Sequence, residues 1–400
     1  MADQHAGRVS RRHLLRGGAA VLGAAGIGAV AGRASDAEPQ VLGKDVVGWG
    51  GAHQAGIETD PPQAHAAFVA LDLLPHVGRP ELAGIMKVWT DDIARLTSGR
   101  PALGDTEPEL AASPARLTVT IGYGPGLFAA SGLVHRAPTW LAPLPPFGID
   151  RLDPAFTGGD LLLQVCADDA VAVAHAVRVL TKNVRSLAAV RWAQRGFRSA
   201  RGTQSPGTTM RNLMGQLDGT VNPAPGTTDF DALVWDDGAD QSWMAGGTSM
   251  VLRRIRIELD TWDELDRPAR EVVMGRRLDT GAPLTGAREF DEADFGAVDG
   301  YGIPVISPTA HIARAHHAHP GERIFRRAYN YDDPPLPGET SNSGLLFASF
   351  QRDVTAQFVP IQRRLDEMDA LNEWTTPVGS AVFAIPPGTV DGFVGEGLLG

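Results

Sequence analysis

The chain has 400 residues, a formal net charge of −11 and 43% hydrophobic residues, values that are ordinary for a globular protein. This length is enough for one large domain or two medium domains with a substantial core. The acidic balance argues against a nucleic-acid partner, because neutralising phosphates requires clustered Lys and Arg.

The N-terminus has the features of an export signal. Arg11 and Arg12 precede an almost uncharged run over 17–32, which is too short and too weakly apolar for a membrane span of about 20 residues. Paired arginines ahead of such a run predict the twin-arginine route for folded proteins. We therefore assign 1–37 to a twin-arginine signal peptide, with a disordered basic tail as the alternative. The expectations are an extracellular or periplasmic (cell-envelope) location and the twin-arginine translocase as a partner.

Cys166 is the only cysteine, which excludes an internal disulfide. It lies in the apolar run 161–166, so we interpret it as a core residue of a buried strand. An exported protein that has no disulfide and uses a route for folded cargo suggests a cofactor inserted before export.

From about Val46 the first half of the chain predicts the order strand, helix, strand, strand, helix, strand. The strands are predicted over 66–73, 117–121, 160–166 and 188–197, and the helices over 80–97 and 169–180. Asp168 or Asp169 is predicted to cap the second helix.

The second half repeats this order. Strands are predicted over 250–259, 323–331, 345–351 and 379–385. Thr261 and Glu264 predict a capping box that opens a helix to about Arg276. A last helix follows from Phe358, and Pro360 is expected to kink its first turns.

The repeated order is the ferredoxin-like pattern. It predicts an α+β fold of the dimeric α+β barrel type, with two ferredoxin-like (βαββαβ) halves and a four-stranded antiparallel sheet in each. We place the halves at 46–215 and 216–400, with the functional site in the second. Long insertions interrupt the pattern at 198–248 and 277–322, and loops of that length are usually functional or disordered.

Three stretches carry chemically versatile residues, yet none is specific by itself. The first, 211–223, contains Asp218, which with the following glycine would ordinarily be a tight turn. The second joins His311 to a basic run that ends at His319, and a lone histidine among apolar residues is usually a core residue. The third is Arg326 and its neighbours, just before an aromatic strand.

Together with the double ferredoxin-like order, these stretches resemble the dye-decolorizing haem peroxidases. The segments that match are 53–57, 159–161, 246–248, 275–277, 344–347 and 357–365, so that the resemblance extends over about 46–394. The export signal is similar to that of the secreted branch, which includes the deferrochelatase/peroxidases.

The resemblance implies one haem b per chain, bound without a covalent link, and the sequence has no Cys-x-x-Cys-His for attachment. It implies that His311 is the axial iron ligand, with a carboxylate as acceptor for its other N–H. Asp218 would move a proton between the two oxygens of hydrogen peroxide, and Arg326 would stabilise negative charge as the O–O bond breaks. Leu345 and Phe347 would form the wall of the distal pocket.

One departure from the family concerns the proximal side. Ala313 stands where the family has an arginine directly after Ala-His-Ile, and Arg314 follows it. We still expect Arg314 to contact the haem, although the shift weakens its assignment to a propionate. The departure leaves His316 or His317 as alternatives to His311.

A small distal pocket would exclude bulky dyes, so electrons would have to arrive through the protein. The aromatic candidates for this transfer are Tyr329, Tyr331, Trp262 and Trp374. Core packing is the ordinary interpretation of each.

Three functions follow. The first is a haem peroxidase that oxidises bulky or phenolic small-molecule donors with hydrogen peroxide. The second is a haem-handling protein (a deferrochelatase that releases iron from haem) with incidental peroxidase activity, and the third is a haemless binding module. Asp218 and Arg326 favour the first, because a haem carrier does not need that pair. A homo-oligomer is left open.

Overall fold

A computed structural model describes residues 41–335 and 337–400. The predicted strands follow one another in the expected order, but the strand predicted over 323–331 is divided into two. The strands are β1 (His65–Leu73), β2 (Thr118–Tyr123), β3 (Leu161–Ala167), β4 (Ala188–Phe197), β5 (Thr248–Ile257), β6 (Phe325–Arg326), β7 (Tyr329–Asp333), β8 (Asn342–Gln351) and β9 (Thr375–Ile385). The α-helices are α1 (Arg79–Thr97), α2 (Pro125–Ala130), α3 (Ala170–Val184), α4 (Thr228–Val234), α5 (Leu259–Trp262), α6 (Arg267–Met274), α7 (His311–Ala315), α8 (Val359–Met368) and α9 (Glu396–Leu399).

The predicted signal peptide, 1–37, lies outside the described residues. Within them, no helix combines the length and the apolarity needed to cross a membrane.

In the first half, β1 pairs with β3 and β4, and β3 pairs with β2, all antiparallel. Strand β3 is buried along its whole length, including Cys166, which confirms its interpretation as a core residue. The apolar face of α1 packs on one face of this sheet, and Trp89 donates its indole N–H to the carbonyl of Leu180 in α3 at 3.0 Å. Helices α1 and α3 therefore cover the outer face of the sheet, as the amphipathic spacing requires.

The second half has the same strand order, because β5 pairs with β8 and β9, and β8 pairs with β7. Strand β6 pairs with the far end of β8, where Arg326 lies opposite Ser349. This arrangement confirms the predicted α+β class and its two ferredoxin-like halves.

The two sheets join edge to edge and close into a barrel. Tyr123 of β2 pairs with Ala384 of β9, and Phe197 of β4 pairs with Asn330 of β7. Buried side chains fill the interior, among them Phe68, Leu162, Trp192, Tyr329, Phe350 and Phe383. At the second seam a Cβ on Gly196 would lie only 2.6 Å from the Cβ of Tyr329, so the close approach of β4 and β7 requires glycine there.

The predicted helix from Thr261 to Arg276 is wrong. The chain forms two shorter helices, α5 and α6, and Asp266 caps α6 by accepting the N–H of Ala269 at 2.9 Å. Pro268 is the physical reason, because proline inside a helix lacks the N–H and clashes with the preceding turn, whereas it is tolerated in a first turn.

Pro360 is the second residue of α8, and a wide π-type turn over Val354–Phe358 leads directly into that helix. Asp353 accepts the first N–H groups of the turn. Proline has no N–H to donate to the turn before it, and the predicted kink at Pro360 stays a prediction.

Candidate active site

Asp218 lies in the first insertion, on a loop that its own hydrogen bonds shape. The Oδ1 atom of Asn212 accepts the N–H groups of Met214 and Gln216, and the N–H of Asp218 donates to the carbonyl of Met210 at 2.8 Å. Gly219 has a φ of +126°, and its carbonyl accepts the N–H of Asn222 at 3.0 Å, so a tight turn begins directly after Asp218. The turn holds the Asp218 side chain in place.

Asp218 and Arg326 form an ion pair, with 3.0 Å between Oδ1 and Nη1. Asn222 ties the loop to β6, because its side chain accepts the N–H of Arg326 at 3.0 Å and donates to the carbonyl of Arg326 at 2.7 Å. The Asp218 side chain is 11% exposed and that of Arg326 is 26% exposed. The pair is therefore positioned by backbone contacts and still accessible to a small molecule.

His311 is the first residue of α7, and its Nδ1 atom lies 2.7 Å from Oδ2 of Asp369. The Asp369 side chain is only 4% exposed, and its Oδ1 accepts the N–H of Leu371 at 2.9 Å. A buried carboxylate thus orients the imidazole and leaves Nε2 without a partner among the described residues. The sequence predicted a carboxylate in this role but could not say which one.

The charges of Asp218 and Arg326 both affect the pKa of His311. Burial by itself lowers the pKa of His311, but the charge and the hydrogen bond of Asp369 outweigh it and raise the pKa above its ordinary value. Arg326 lowers this pKa and Asp218 raises it, so both lie within electrostatic range of the imidazole. The structure therefore brings three predicted site residues together.

The other proximal candidates have different surroundings. Arg314 donates Nε to the carbonyl of Arg364 at 2.9 Å and Nη2 to Glu367 at 2.7 Å, so α8 engages its guanidinium. The ring of His316 packs against that of His317 at 4.5 Å, and the side chain of His316 is exposed. Burial, followed by the charge of His316, lowers the pKa of His317. Of the three histidines, only His311 has a carboxylate acceptor among the described residues.

Leu345 and Phe347 lie on the face of β8 that Arg326 also occupies. Arg326 is opposite Ser349, and residues two apart on a strand point to the same side, so 345, 347 and 349 share this face. Leu345 packs with Met210 and Ala328, and the partly buried ring of Phe347 joins them. Leu345 and Phe347 thus belong to an apolar cluster on the face of β8 that Arg326 shares.

Sequence reasoning missed Arg198, at the end of β4. Its Nε donates to the carbonyl of Ala328 at 2.7 Å, and its guanidinium lies 5.0 Å from the ring centre of Tyr329. Burial lowers the pKa of Arg198 to about 10, and the charge of Asp218 partly offsets that effect. No spacing in the sequence could indicate that the first half contributes this cation near Asp218.

The aromatic candidates for electron transfer are mostly inaccessible. Tyr329, Tyr331 and Trp262 are buried, and only Trp374 is half-buried. The rings of Trp262 and Trp374 pack edge to face at 5.4 Å. Three of the four therefore cannot contact a bulky donor directly.

These residues fit the haem that the resemblance implies. A haem iron needs one protein imidazole on its axis, and His311 offers a free Nε2 on a ring fixed from behind. In the described ranges, no cluster of three or more His, Cys, Asp or Glu could hold a metal ion by protein ligands alone. The donor set suits an iron that a porphyrin already holds.

Comparisons with known proteins show which family the chain belongs to. The chain matches the family models "Dyp-type peroxidase, N-terminal" over residues 54–198 and "Dyp-type peroxidase, C-terminal" over 209–390. The dye-decolorizing peroxidase of Thermobifida fusca is 39% identical, over 98% of this chain and 97% of its own length. A deferrochelatase of Yersinia pestis bv. Antiqua is 34% identical, over 97% and 94%. The crystal structure of a DyP-type peroxidase from Cellulomonas bogoriensis is 58% identical, covers 90% of this chain and 99% of its own, and superposes with a TM-score of 0.88. The chain belongs to the Dyp-type peroxidase family.

Proposed function

We propose that the protein is a haem peroxidase that oxidises bulky or phenolic donors with hydrogen peroxide. Its family makes it a peroxidase, an oxidoreductase with haem as cofactor. The observation that carries the proposal is the 3.0 Å ion pair of Asp218 and Arg326 within electrostatic range of His311, which Asp369 holds at 2.7 Å. Peroxide cleavage needs this combination of a proton carrier, a fixed cation and an oriented axial ligand.

Haem b, held without a covalent link, supplies the iron at which peroxide is reduced and to which the donor's electrons pass. Asp218 takes the proton from one oxygen of hydrogen peroxide and returns it to the other, the leaving oxygen. Arg326 keeps its charge, since a guanidinium does not deprotonate in proteins, and it faces the negative charge that develops as the bond breaks. The contacts with Asn222 hold Arg326 in place before peroxide arrives.

On the proximal side, His311 would bind the iron through Nε2. Asp369 accepts the Nδ1 proton, which fixes the tautomer and makes the imidazole a stronger donor. Arg314 would contribute positive charge at the end of α7, although α8 engages two of its nitrogens. Leu345 and Phe347 would keep the distal space small, so that peroxide enters and bulky donors remain outside.

We also propose export by the twin-arginine route to an extracellular or cell-envelope location. Arg11 and Arg12 ahead of the weakly apolar run 17–32 support it. This route carries folded proteins, which suits a cofactor inserted before transport.

Relatives that are named deferrochelatases favour a second candidate, the release of iron from haem. That reaction would leave an intact porphyrin without iron, whereas the peroxidase reaction leaves haem in place. The pair of Asp218 and Arg326 favours the first function, because release of iron does not involve cleavage of an O–O bond.

An absorption experiment separates the two functions. The protein as purified is scanned before and after one equivalent of hydrogen peroxide, then after addition of a phenolic donor. The peroxidase proposal requires a peroxide-dependent shift of the Soret band that the donor reverses. Metal-free porphyrin fluorescence that accumulates without peroxide would instead support iron release, and absence of a Soret band would contradict both functions.

A further inference from the structure

A hairpin in the second insertion carries one highly exposed tyrosine. Val298 and Pro304 form the bridge that closes the hairpin, and the N–H of Asp299 donates to the carbonyl of Ile303 at 2.8 Å. The Asp299 carboxylate also accepts the N–H groups of Tyr301 and Ile303, at 2.8 and 3.0 Å. The turn is therefore well defined, and Tyr301 at its tip is 92% exposed.

Tyr301 is the only accessible tyrosine of the four in the sequence. Tyr123, Tyr329 and Tyr331 are buried, and burial raises the pKa of each phenol, to about 12 for Tyr331. A buried phenol cannot meet a second ring from another molecule. Coupling of tyrosine to tyrosine between molecules can therefore occur at one position only.

Other side chains that oxidants attack compete poorly with Tyr301. Cys166 is buried, and Trp49 and Trp374 are half-buried. Met368 is exposed, but a thioether takes up oxygen and does not couple to a ring. Tyr301 is thus the side chain best placed to form a radical that couples covalently to another molecule.

We propose that Tyr301 is a site of oxidative self-modification, at which two copies of the chain become joined by a dityrosine link. The inference rests on the peroxidase function proposed above. Oxidation of Tyr301 needs no electron path through the protein, because a small phenol that is oxidised at the haem site can leave as a phenoxyl radical. That radical takes a hydrogen atom from the hydroxyl of Tyr301 and becomes the phenol again.

The atoms and electrons balance. One hydrogen peroxide takes two electrons and two protons, one of each from Tyr301 in each copy, and gives two water molecules. The two tyrosyl radicals form a carbon–carbon bond between ring positions next to the hydroxyls. The hydrogens on those two carbons then move to the oxygens, which restores both phenols.

The charge around the hairpin controls how readily two copies meet. The acidic residues within 290–300 are Asp291, Glu292, Asp294 and Asp299, and this range contains no Lys or Arg, although Asp291 pairs with Arg288 just before it. The chain as a whole carries −11. Two hairpin tips that approach each other bring like charges together, and salt screens that repulsion beyond about 10 Å at 0.1 M ionic strength. Coupling at Tyr301 should therefore increase with ionic strength.

The experiment treats mature holoprotein with hydrogen peroxide and 2-methoxyphenol at low and high salt. Donor oxidation is followed by absorbance, coupling by dityrosine fluorescence and by a dimer that resists denaturing electrophoresis, and the position of the link by peptide mass spectrometry. Tyr301→Phe is the test variant. Tyr123→Phe is the matched control, since it removes a hydroxyl that is buried and bonded to the carbonyl of Val394.

The expected result is a Tyr301–Tyr301 link in the parent and in Tyr123→Phe, a higher yield at high salt, and loss of the dimer in Tyr301→Phe with donor oxidation unchanged. An undiminished dimer in Tyr301→Phe, a link at Trp49 or Trp374, or no link while the donor is turned over would overturn the proposal. Absence of donor turnover in the parent would instead contradict the peroxidase function.

Discussion

The imidazole Nδ1 of His311 lies 2.7 Å from a carboxylate oxygen of Asp369, although 58 residues separate them in the chain. The N–H of Leu371 donates to the other carboxylate oxygen of Asp369, so the acceptor of the His311 proton is itself held in position. Because Nδ1 faces Asp369, Nε2 on the other side of the ring points away from this carboxylate. It makes His311 the best-supported axial ligand of the three histidines in this segment.

We predict that His311→Ala loses haem or shows an altered Soret band. His316→Ala and His317→Ala should retain the parent spectrum, because their rings contact each other and lack a carboxylate acceptor. Absorption spectra of the three variants after the same haem reconstitution test this. The reverse pattern would move the ligand into the run that follows α7.

We predict that Asp369→Ala weakens haem retention by about 10–100-fold, which is the usual cost of removing the hydrogen-bond partner of a metal-binding histidine. The rate of haem transfer to excess apomyoglobin measures this. Asp366→Asn is the control, since that carboxylate lies in the last turn of α8, near Asp369, but accepts the N–H of Ile149. Equal transfer rates for parent and Asp369→Ala would mean that Asp369 does not support the ligand.

Most of the fold could be predicted because each element has a local signal. Strand β3 is a continuous apolar run and α1 has helical spacing, and both were placed within two residues of their observed ends. The helix predicted from Thr261 to Arg276 is wrong because two local signals compete there. Thr261 and Glu264 match a capping box, but Pro268 restarts the helix seven residues later, and proline is the stronger constraint.

The site was predictable only in part, because its residues come from a long insertion and from separate strands and helices. Asp218 and Arg326 are 108 residues apart, and only the resemblance to a family indicated that they act together. Asp369 and Arg198 had no such support. Asp369 caps a short turn and Arg198 follows a strand, so their local patterns are ordinary.

We predict that Phe347→Ala opens the distal side to larger oxidants. Its ring packs with Leu345 and lies 6.3 Å from the ring of Phe358, so its removal leaves space beside the ion pair. The kcat/KM for cumene hydroperoxide should rise relative to that for hydrogen peroxide. Phe290→Ala, which removes an exposed ring, should leave the ratio unchanged. An unchanged ratio in Phe347→Ala would show that Phe347 does not limit access.

We predict that replacing Arg11 and Arg12 together by Lys retains the precursor inside the cell. The twin-arginine route requires the paired arginines, and Lys keeps the charge while removing the guanidinium fork. Arg8→Lys is the control, and the mature N-terminus should lie between Ala31 and Glu38. Cell fractionation followed by N-terminal sequencing tests both points, and undiminished export of the double variant would refute the route.

The last prediction separates the roles of Asp218 and Arg326. Loss of a general acid–base catalyst typically costs about 10²–10⁴-fold, and loss of one preorganised electrostatic donor about 10²–10³-fold. These ranges overlap, so the sizes of the two losses cannot distinguish the roles, but their dependence on pH can. Asp218→Asn removes the group that carries the proton, so the peroxide reaction should lose most of its pH dependence. Arg326→Leu removes a fixed charge, so the rate should fall while the pH dependence stays visible.

Stopped-flow measurement of the peroxide-dependent change in the Soret band tests this, over roughly pH 4 to 8, which covers imidazole titration and the upper part of carboxylate titration. Arg323→Leu is the control for Arg326→Leu, because Arg323 pairs with Asp229 on the surface and does not contact Asp218. If instead Arg326→Leu loses the pH dependence and Asp218→Asn keeps it, Arg326 carries the proton and Asp218 does not. If both variants react with peroxide at the parent rate, neither residue acts on peroxide, and the assignment of this ion pair to the distal side is wrong.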